Sequence, residues 1–463
     1  MPSVKRRVKQ WVSRGADRHV RLAVTGLSRA GKTAFITSLI NQLTHLGTQP
    51  NLPLLQLVQQ GRALGARREP HPHMHLPAFD YENAMHALQM TPPTWPSPTR
   101  DVSEVRVAVR YRPQSAAMRA LNDMATLYVD IVDYPGEWLL DLPLLSQSYP
   151  QWSQKQTSML TGKRAELAKV WQAKAAQLDP LAPADEKQLA EVAASFTEFL
   201  HACKAHGGLH WVQPGRFVLP GELAGAPVVQ FFPWMGALTD EIKAKADKHT
   251  NYGLLKARYD YYCEHVVAQF YREHFAKIDR QVILVDTLQP LNVGPDAFHD
   301  MRLAVEQLMQ SFKYGKSGLL KRLFSPRIDK VLFAATKADH VTPEQHPNMV
   351  SLLQQIVHQA WQQAAFEGIE MRCQSVASVA ATTPGFVDVK GTQHAALKGE
   401  LDDGSGVTLY PGDVPSQLPD ADFWQHQGFD FPSFRPPHVP LDAPLPHIRM
   451  DKALDYLLGD KFR

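Results

Sequence analysis

Residues 19–33 read HVRLAVTGLSRAGKT, and Ala34–Leu46 continue as AFITSLINQLTHL. The first seven residues form a β-rich apolar run that suits a buried strand, and the last thirteen suit a helix. Between them Gly26, Leu27, Ser28, Arg29, Ala30, Gly31, Lys32 and Thr33 spell GxxxxGK[ST]. A strand, a glycine-rich turn and a helix in that order make a phosphate cradle. The glycines let backbone N–H groups turn toward phosphate oxygens, and the helix dipole favours the anion. Lys32 is expected to neutralise the β- and γ-phosphates, and the Thr33 hydroxyl to face Mg²⁺. Gly26 and Ser28 through Ala34 are the expected phosphate-binding residues.

Outward from this loop, strands and helices alternate. Residues 104–111 (EVRVAVRY) alternate at period two, as a half-exposed strand should, and 126–132 (TLYVDIV) are more continuously apolar. Strands are expected at 281–286, 329–335 and 369–377, with helices at 298–312 and 347–366. Such alternation implies βαβ crossovers and a doubly wound, mainly parallel α/β sheet covered on both faces. Residues 49–98, rich in proline and histidine, are expected to be an irregular excursion. The phosphate-loop domain is expected over 18–150 and 278–383, interrupted by a mainly helical subdomain at 151–277. Residues 384–463 are expected to be a loop-rich tail that wraps the core and ends in a short helix at 450–459.

Two further motifs sit at strand ends. Asp133-Tyr134-Pro135-Gly136 follows the strand 126–132; its carboxylate is placed to hold Mg²⁺ through water, and the Gly136 amide to sense a γ-phosphate. Thr336-Lys337-Ala338-Asp339 follows the strand 329–335. Guanine presents N1–H and an amino group on one edge, so the Asp339 carboxylate would accept both, while adenine offers no matching pair. The Lys337 stem would lie along the base plane. Ala377, Ser378 and Val379, after the last strand, have amides that could reach the guanine oxygen. Asp286, at another strand end, suits a helix cap better than a ligand contact. His71, His73 and His75 (HPHMH) suit an exposed loop better than a metal site, and Phe231-Phe232-Pro233-Trp234 suits a core wedge.

Composition sets the limits. The chain has 463 residues, 44% hydrophobic and 21% charged, enough apolar matter for a sizeable core and roughly three domains. The net charge of +3 excludes a general nucleic-acid binder. The excess is local: Lys5, Arg6, Arg7, Lys9, Arg14, Arg18 and Arg21 face only Asp17 in the first 21 residues. Residues 1–17 thus form a basic segment, read as a solvated helix or a weak anchor to an anionic surface. Three scattered cysteines fit a reducing compartment, and no apolar run is long enough to span a membrane. A cytoplasmic protein is expected, with peripheral contact at the inner membrane face as the role open to the leader.

Taken together, the three motifs resemble the P-loop GTPases of the translation-factor and Ras-like class. More closely, HVRLAVTGLSRAGKTAFITSLINQL, DYPGEWLLDLPLL, ILVDTLQPLN and FRPP resemble the YcjX-like family of bacterial GTPases. The resemblance implies GTP/GDP binding with Mg²⁺ in a protein encoded alongside bacterial envelope- and heat-stress genes; slow GTP hydrolysis and a nucleotide-dependent switch role in a stress response are expected from the motifs and this setting together. Class membership also implies a threonine before the second strand that reaches Mg²⁺; Thr99 is nearest, with Thr94 and Thr91 behind it. Arg100 would then be a cis arginine finger, as in heterotrimeric G-protein α subunits. Glu137 stands where many GTPases carry a water-orienting glutamine. An unidentified protein partner would engage the inserted subdomain. A nucleotide-stabilised scaffold with negligible turnover is the alternative, and Asp339 argues against an ATP-using enzyme.

Overall fold

The computed structural model describes residues 18–99, 101–116, 119, 123–206, 208–310, 328–366, 368–389, 391–420, 422–426, 429 and 431–463. Arg100 and the basic segment 1–17 therefore lie outside the described residues. The chain divides into two compact units, the first made of residues 1–134, 278–292 and 327–463, the second of 135–277 and 293–326.

The first unit is built on β1 (Arg18–Gly26), β2 (Ala63–Glu69), β3 (Ser103–Tyr111), β4 (Ala125–Asp133), β5 (Arg280–Val285), β6 (Lys330–Ala335) and β7 (Glu370–Ser375). They form one seven-stranded sheet in the order β2-β3-β4-β1-β5-β6-β7. β4, β1, β5, β6 and β7 run parallel, while β3 is antiparallel to β4 and β2 antiparallel to β3. This is the expected doubly wound, mainly parallel α/β sheet. Register follows burial: Val20, Leu22 and Val24 of β1 share a core with Val105, Val107, Val109, Leu127, Val129 and Ile131. Phe35, Ile36, Leu39, Ile40 and Leu43 of the helix Lys32–Thr44 close that core. Each such aliphatic side chain, once fully buried, contributes about 1.5–3 kcal/mol.

Three expectations need correction. The 49–98 stretch is not irregular throughout: it supplies β2 and the helix Tyr81–Gln89. As an edge strand with a bulge between Ala63 and Gly65 and two exposed arginines, β2 carries no alternation to read. β3 is buried along most of its length rather than open on one face. The tail is loop-rich as expected, but it also carries a small antiparallel sheet that was not expected, β8 (Thr382–Val389), β9 (Thr392–Glu400) and β10 (Gly406–Leu409), in the order β10-β9-β8. Its last helix, Met450–Leu458, does enter the core through Met450, Ala453, Leu454, Leu457 and Leu458. Arg280, fully buried, then ties β5 to the Leu457 carbonyl and to both Asp460 oxygens.

The second unit is mainly helical, with Tyr149–Ser158, Gly162–Ala175, Glu186–Ala205, Asn251–Tyr261 and Pro295–Gln310 as its longer helices. Aromatic side chains hold it together. Trp152 stacks on Tyr259 at 5.3 Å and meets Phe231 edge-on at 5.4 Å between ring centroids. Trp234 meets Tyr252 at 5.8 Å. Phe231 and Trp234 are thus the core wedge that large apolar rings tend to become.

Candidate functional site: a phosphate loop and a purine-side turn on one sheet edge

Parallel pairing puts the carboxyl ends of β4, β1, β5 and β6 on the same edge. Asp133 pairs with Val24, Gly26 with Leu284, and Val285 with Ala335. Neighbouring strands are about 4.8 Å apart, so the turn after β6 begins about 10 Å from the loop after β1. That edge is where ligands settle in open α/β sheets.

The loop after β1 is shaped by close packing on one side and openness on the other. A Cβ on Gly26 would lie 2.9 Å from Leu284 Cβ, and the Leu27 amide donates to the Leu284 carbonyl at 3.2 Å. Arg29 and Gly31 take positive φ, 65° and 79°. Gly31 is exposed, and a Cβ there would meet nothing within 4 Å. Ala30 is buried, whereas Ser28, Lys32, Thr33 and Ala34 are half-buried. The helix that starts at Lys32 has neither a side-chain cap nor an acid in its first turn, so its positive end is uncompensated by the chain.

Lys32 Nζ is ion-paired with Asp133 Oδ1 and donates to the Tyr134 carbonyl at 3.1 Å. Asp133 Oδ2 is buried and has no hydrogen-bond partner among the described residues. Thr33 Oγ1 lies 3.2 Å from Thr99 Oγ1, across 66 positions of chain. Of the three candidate threonines, then, Thr99 is the one brought to Thr33. Thr94 instead bonds the Ala87 carbonyl through its amide at 2.9 Å, and Thr91 is exposed. Two hydroxyls in contact and an unpartnered carboxylate oxygen at the end of the neighbouring strand are hard oxygen donors, the chemistry that fits Mg²⁺ retaining several waters.

The turn after β6 is held from every side. The Thr336 amide donates to Val285 O at 3.0 Å, Ala338 N to Val376 O at 3.3 Å, and His340 N to Lys337 O at 2.9 Å. His346 Nε2 meets the Ala338 carbonyl at 2.7 Å. Asp339 is buried; its Oδ2 accepts the Ala381 amide at 2.8 Å and its carbonyl accepts the Thr382 hydroxyl. Lys337, left-handed at φ 60°, places Nζ 2.6 Å from Asp286 Oδ2. The Asp286 carboxylate raises the Lys337 pKa, and Arg29 of the phosphate loop is near enough to oppose that shift. Burial lowers the pKa of His340, whose ring meets Phe434 of the FRPP segment at 5.1 Å. The Phe434 carbonyl accepts Trp95 Nε1 at 2.8 Å, joining this turn to the segment that leads to Thr99.

Other expected residues are placed differently. The Ala377 amide donates to the Ile448 carbonyl at 3.1 Å, so it is committed to a β-bridge and not open to a base; this corrects the expectation for Ala377. Ser378 is half-buried, and Val379 packs with Met85, Leu88, Val439 and Leu445. Gly136 and Glu137 belong to the second unit. There the Glu137 carboxylate is ion-paired with Lys204 at 2.5 Å, and Gly215 lies so close that its Cβ would sit 2.0 Å from the Glu137 carbonyl oxygen. His73 pairs with the buried Glu104 at 2.8 Å, and among the described residues no metal-ligating cluster of histidines, cysteines and carboxylates forms. Lys204, Gly215 and Trp95 had no signal in the sequence, because each matters only through a partner far away in the chain.

A glycine loop at the switch of strand order, a Lys–Asp pair beside two threonine hydroxyls, and a buried carboxylate two strands away define a P-loop α/β protein of the GTPase type. The chain belongs to the YcjX-like family: the model described as YcjX-like family, DUF463, matches residues 20–462. It is 56% identical over 466 residues to the Ras-like GTPase YcjX of Escherichia coli (strain K12), covering 100% of both chains. It is 44% identical over 463 residues to the Ras-like GTPase YcjX of Shewanella oneidensis, covering 97% of this chain and 96% of that one. The family expected from the sequence motifs is therefore the right one.

Proposed function

We propose that this chain binds GTP and GDP with Mg²⁺ and hydrolyses GTP slowly, as a nucleotide-dependent switch. One observation carries the reading: the phosphate loop, Asp133 and the Thr336–Asp339 turn follow parallel strands whose carboxyl ends share one edge of one sheet. The two relatives, both Ras-like GTPases, support the same nucleotide. In this reading Lys32 leaves Asp133 for the β- and γ-phosphates, and Thr33, Thr99 and Asp133 would hold Mg²⁺. The ion would supply charge neutralisation on the phosphates. Loop amides orient the γ-phosphate for in-line attack, Asp339 accepts the guanine edge, and Lys337 lies along the ring. No covalent nucleophile is required, since phosphoryl transfer is a matter of positioning and charge. Arg100 as a cis finger and Ser378 and Val379 as base contacts belong to this proposal.

The signalling half of the proposal rests on how the segment after Asp133 is built. Within the second unit, Gln213 Nε2 donates to the Leu140 carbonyl at 2.5 Å, and Trp138 Nε1 to Leu219 O at 2.9 Å. The Arg216 guanidinium lies 3.2 Å from the Trp138 ring centroid. Asp141 accepts the Gly215 amide at 2.8 Å and the Tyr262 hydroxyl at 2.6 Å. A γ-phosphate that drew the Gly136 amide would therefore pull on residues 213–219 and, through them, on the helices that a protein partner would read. A stress-response setting is implied by the family resemblance. Among the described residues no helix is long and apolar enough to cross a membrane, so peripheral contact through the basic leader is the membrane role proposed.

Identifying the nucleotide that co-purifies tests the reading, with Lys32→Ala as the control and GTP competed against ATP. Guanine nucleotide lost in the variant is the expected result; bound adenine nucleotide refutes it. A scaffold with negligible turnover is the second reading, favoured by the Glu137–Lys204 pair, which occupies the carboxylate that would orient water. Single-turnover hydrolysis at several protein concentrations separates the two.

A further inference from the structure

Asp286 closes β5 and is 2% exposed. Its two oxygens do different things. Oδ1 accepts the amides of Leu288 and Gln289, each at 3.1 Å, which starts the helix Leu288–Val293. Oδ2 lies 2.6 Å from Lys337 Nζ, on the neighbouring strand end. The cap alone needs no cation, because two amide donors satisfy it. Yet the lysine reaches a carboxylate buried at the floor of the turn that carries Asp339, and it does so from a left-handed backbone position, φ 60°. Its side chain stays 33% exposed. With the ammonium held at a carboxylate that is 2% exposed, the methylene stem is what the side chain has left to offer a base. A free lysine would sample many rotamers, and holding it in one beforehand removes that entropy from the binding step.

We propose that Asp286 is a positioning residue for guanine recognition: it anchors the Lys337 ammonium so that the lysine stem is already laid out as the floor for the base whose edge Asp339 reads. The proposal rests on the guanine-nucleotide reading above and assigns a further residue to it. Burial is the strongest single influence on Asp286 and raises its pKa, yet the pKa is lowered, because the Lys337 ammonium, the Gln289 amide and His340 together outweigh the lost hydration.

Asp286→Asn isolates the effect, since asparagine caps a helix as well as aspartate but cannot ion-pair with an ammonium. The full chain is measured as the parent, Asp286→Asn, Lys337→Met and the double variant. The readouts are mant-GDP equilibrium affinity and dissociation rate, KM and kcat for GTP, and nucleotide-free melting. Asp286→Asn is expected to melt with the parent and to weaken mant-GDP binding by about tenfold to a hundredfold, the range for one charge-assisted bond. The loss should fall on the dissociation rate and on KM, not on kcat. Added to Lys337→Met it should cost nothing more. If Asp286→Asn does not fold, Asp286→Ser, which keeps a capping oxygen but carries no charge, must show the same loss in dissociation rate and KM. Parent-like mant-GDP affinity in Asp286→Asn, or full additivity in the double variant, overturns the proposal while the guanine reading stands. A parent protein that takes up no mant-GDP overturns both.

Discussion

Removing Lys32 should destabilise the nucleotide-free protein as well as abolish nucleotide binding. Asp133 is 1% exposed at its side chain and Lys32 13%, and one Asp133 oxygen already lacks a partner. Lys32→Ala would leave the other oxygen without its cation too. Breaking a buried pair by deleting one member costs about 3–5 kcal/mol, because the remaining charge keeps its desolvation penalty. For a unit of this size each kcal/mol moves the melting temperature by about 2–4 °C, so a drop of about 10 °C is expected. Differential scanning calorimetry on nucleotide-free protein measures it. The internal control is Lys32→Ala with Asp133→Asn, which removes the stranded charge and should recover most of the loss while still binding no nucleotide. If Lys32→Ala melts with the parent, or if Asp133→Asn restores nothing, the buried-pair reasoning is wrong.

Thr99→Ala should weaken GTP affinity about tenfold in Mg²⁺ and leave affinity in EDTA unchanged, since its hydroxyl is placed to act beside Thr33 at the ion; equal losses in both buffers would remove Thr99 from the metal site. Lys204→Met frees the Glu137 carboxylate and should speed single-turnover GTP hydrolysis by about a hundredfold, the lower end of what a positioned base provides. The gain must vanish in Lys204→Met with Glu137→Ala, or Glu137 has no part in the chemistry. Burial pushes the Asp141 pKa up to about 7, against the pull of Tyr262, Gly215 and Arg216. A raised carboxylate pKa means that the folded state binds more protons than the unfolded one between about pH 4 and 7. Stability should therefore fall across that window as pH rises and level off above it, and Asp141→Asn should flatten the urea-midpoint profile there. An unchanged slope in the variant would show that Asp141 does not set it.

Much of the site was legible because phosphate binding constrains contiguous chain. A strand, two glycines, a lysine and a threonine must follow one another for backbone amides to face an anion, so Gly26–Thr33 can be recognised without any partner. Asp133 and Asp339 were legible for a related reason, each sitting at the end of an apolar strand. The tail motif FRPP was visible only as a likeness; its Phe434 supports the Asp339 turn through His340, which no spacing rule reports. β2 was missed because an edge strand takes its order from the strand it pairs with, not from its own periodicity.

By itself, then, the sequence determined the phosphate cradle, the parallel α/β class and the family, all of which depend on residues close together or on patterns repeated along the chain. Tertiary structure alone decided which threonine meets Thr33, that Asp286 holds Lys337 while capping a helix, that the Ala377 amide is spent on Ile448, and that Lys204 engages Glu137. Each of these is a contact between side chains or backbone groups tens to scores of positions apart. Local propensity carries no information about such pairs, since the hydrogen bond or ion pair comes into being only when the packed core fixes both partners in place.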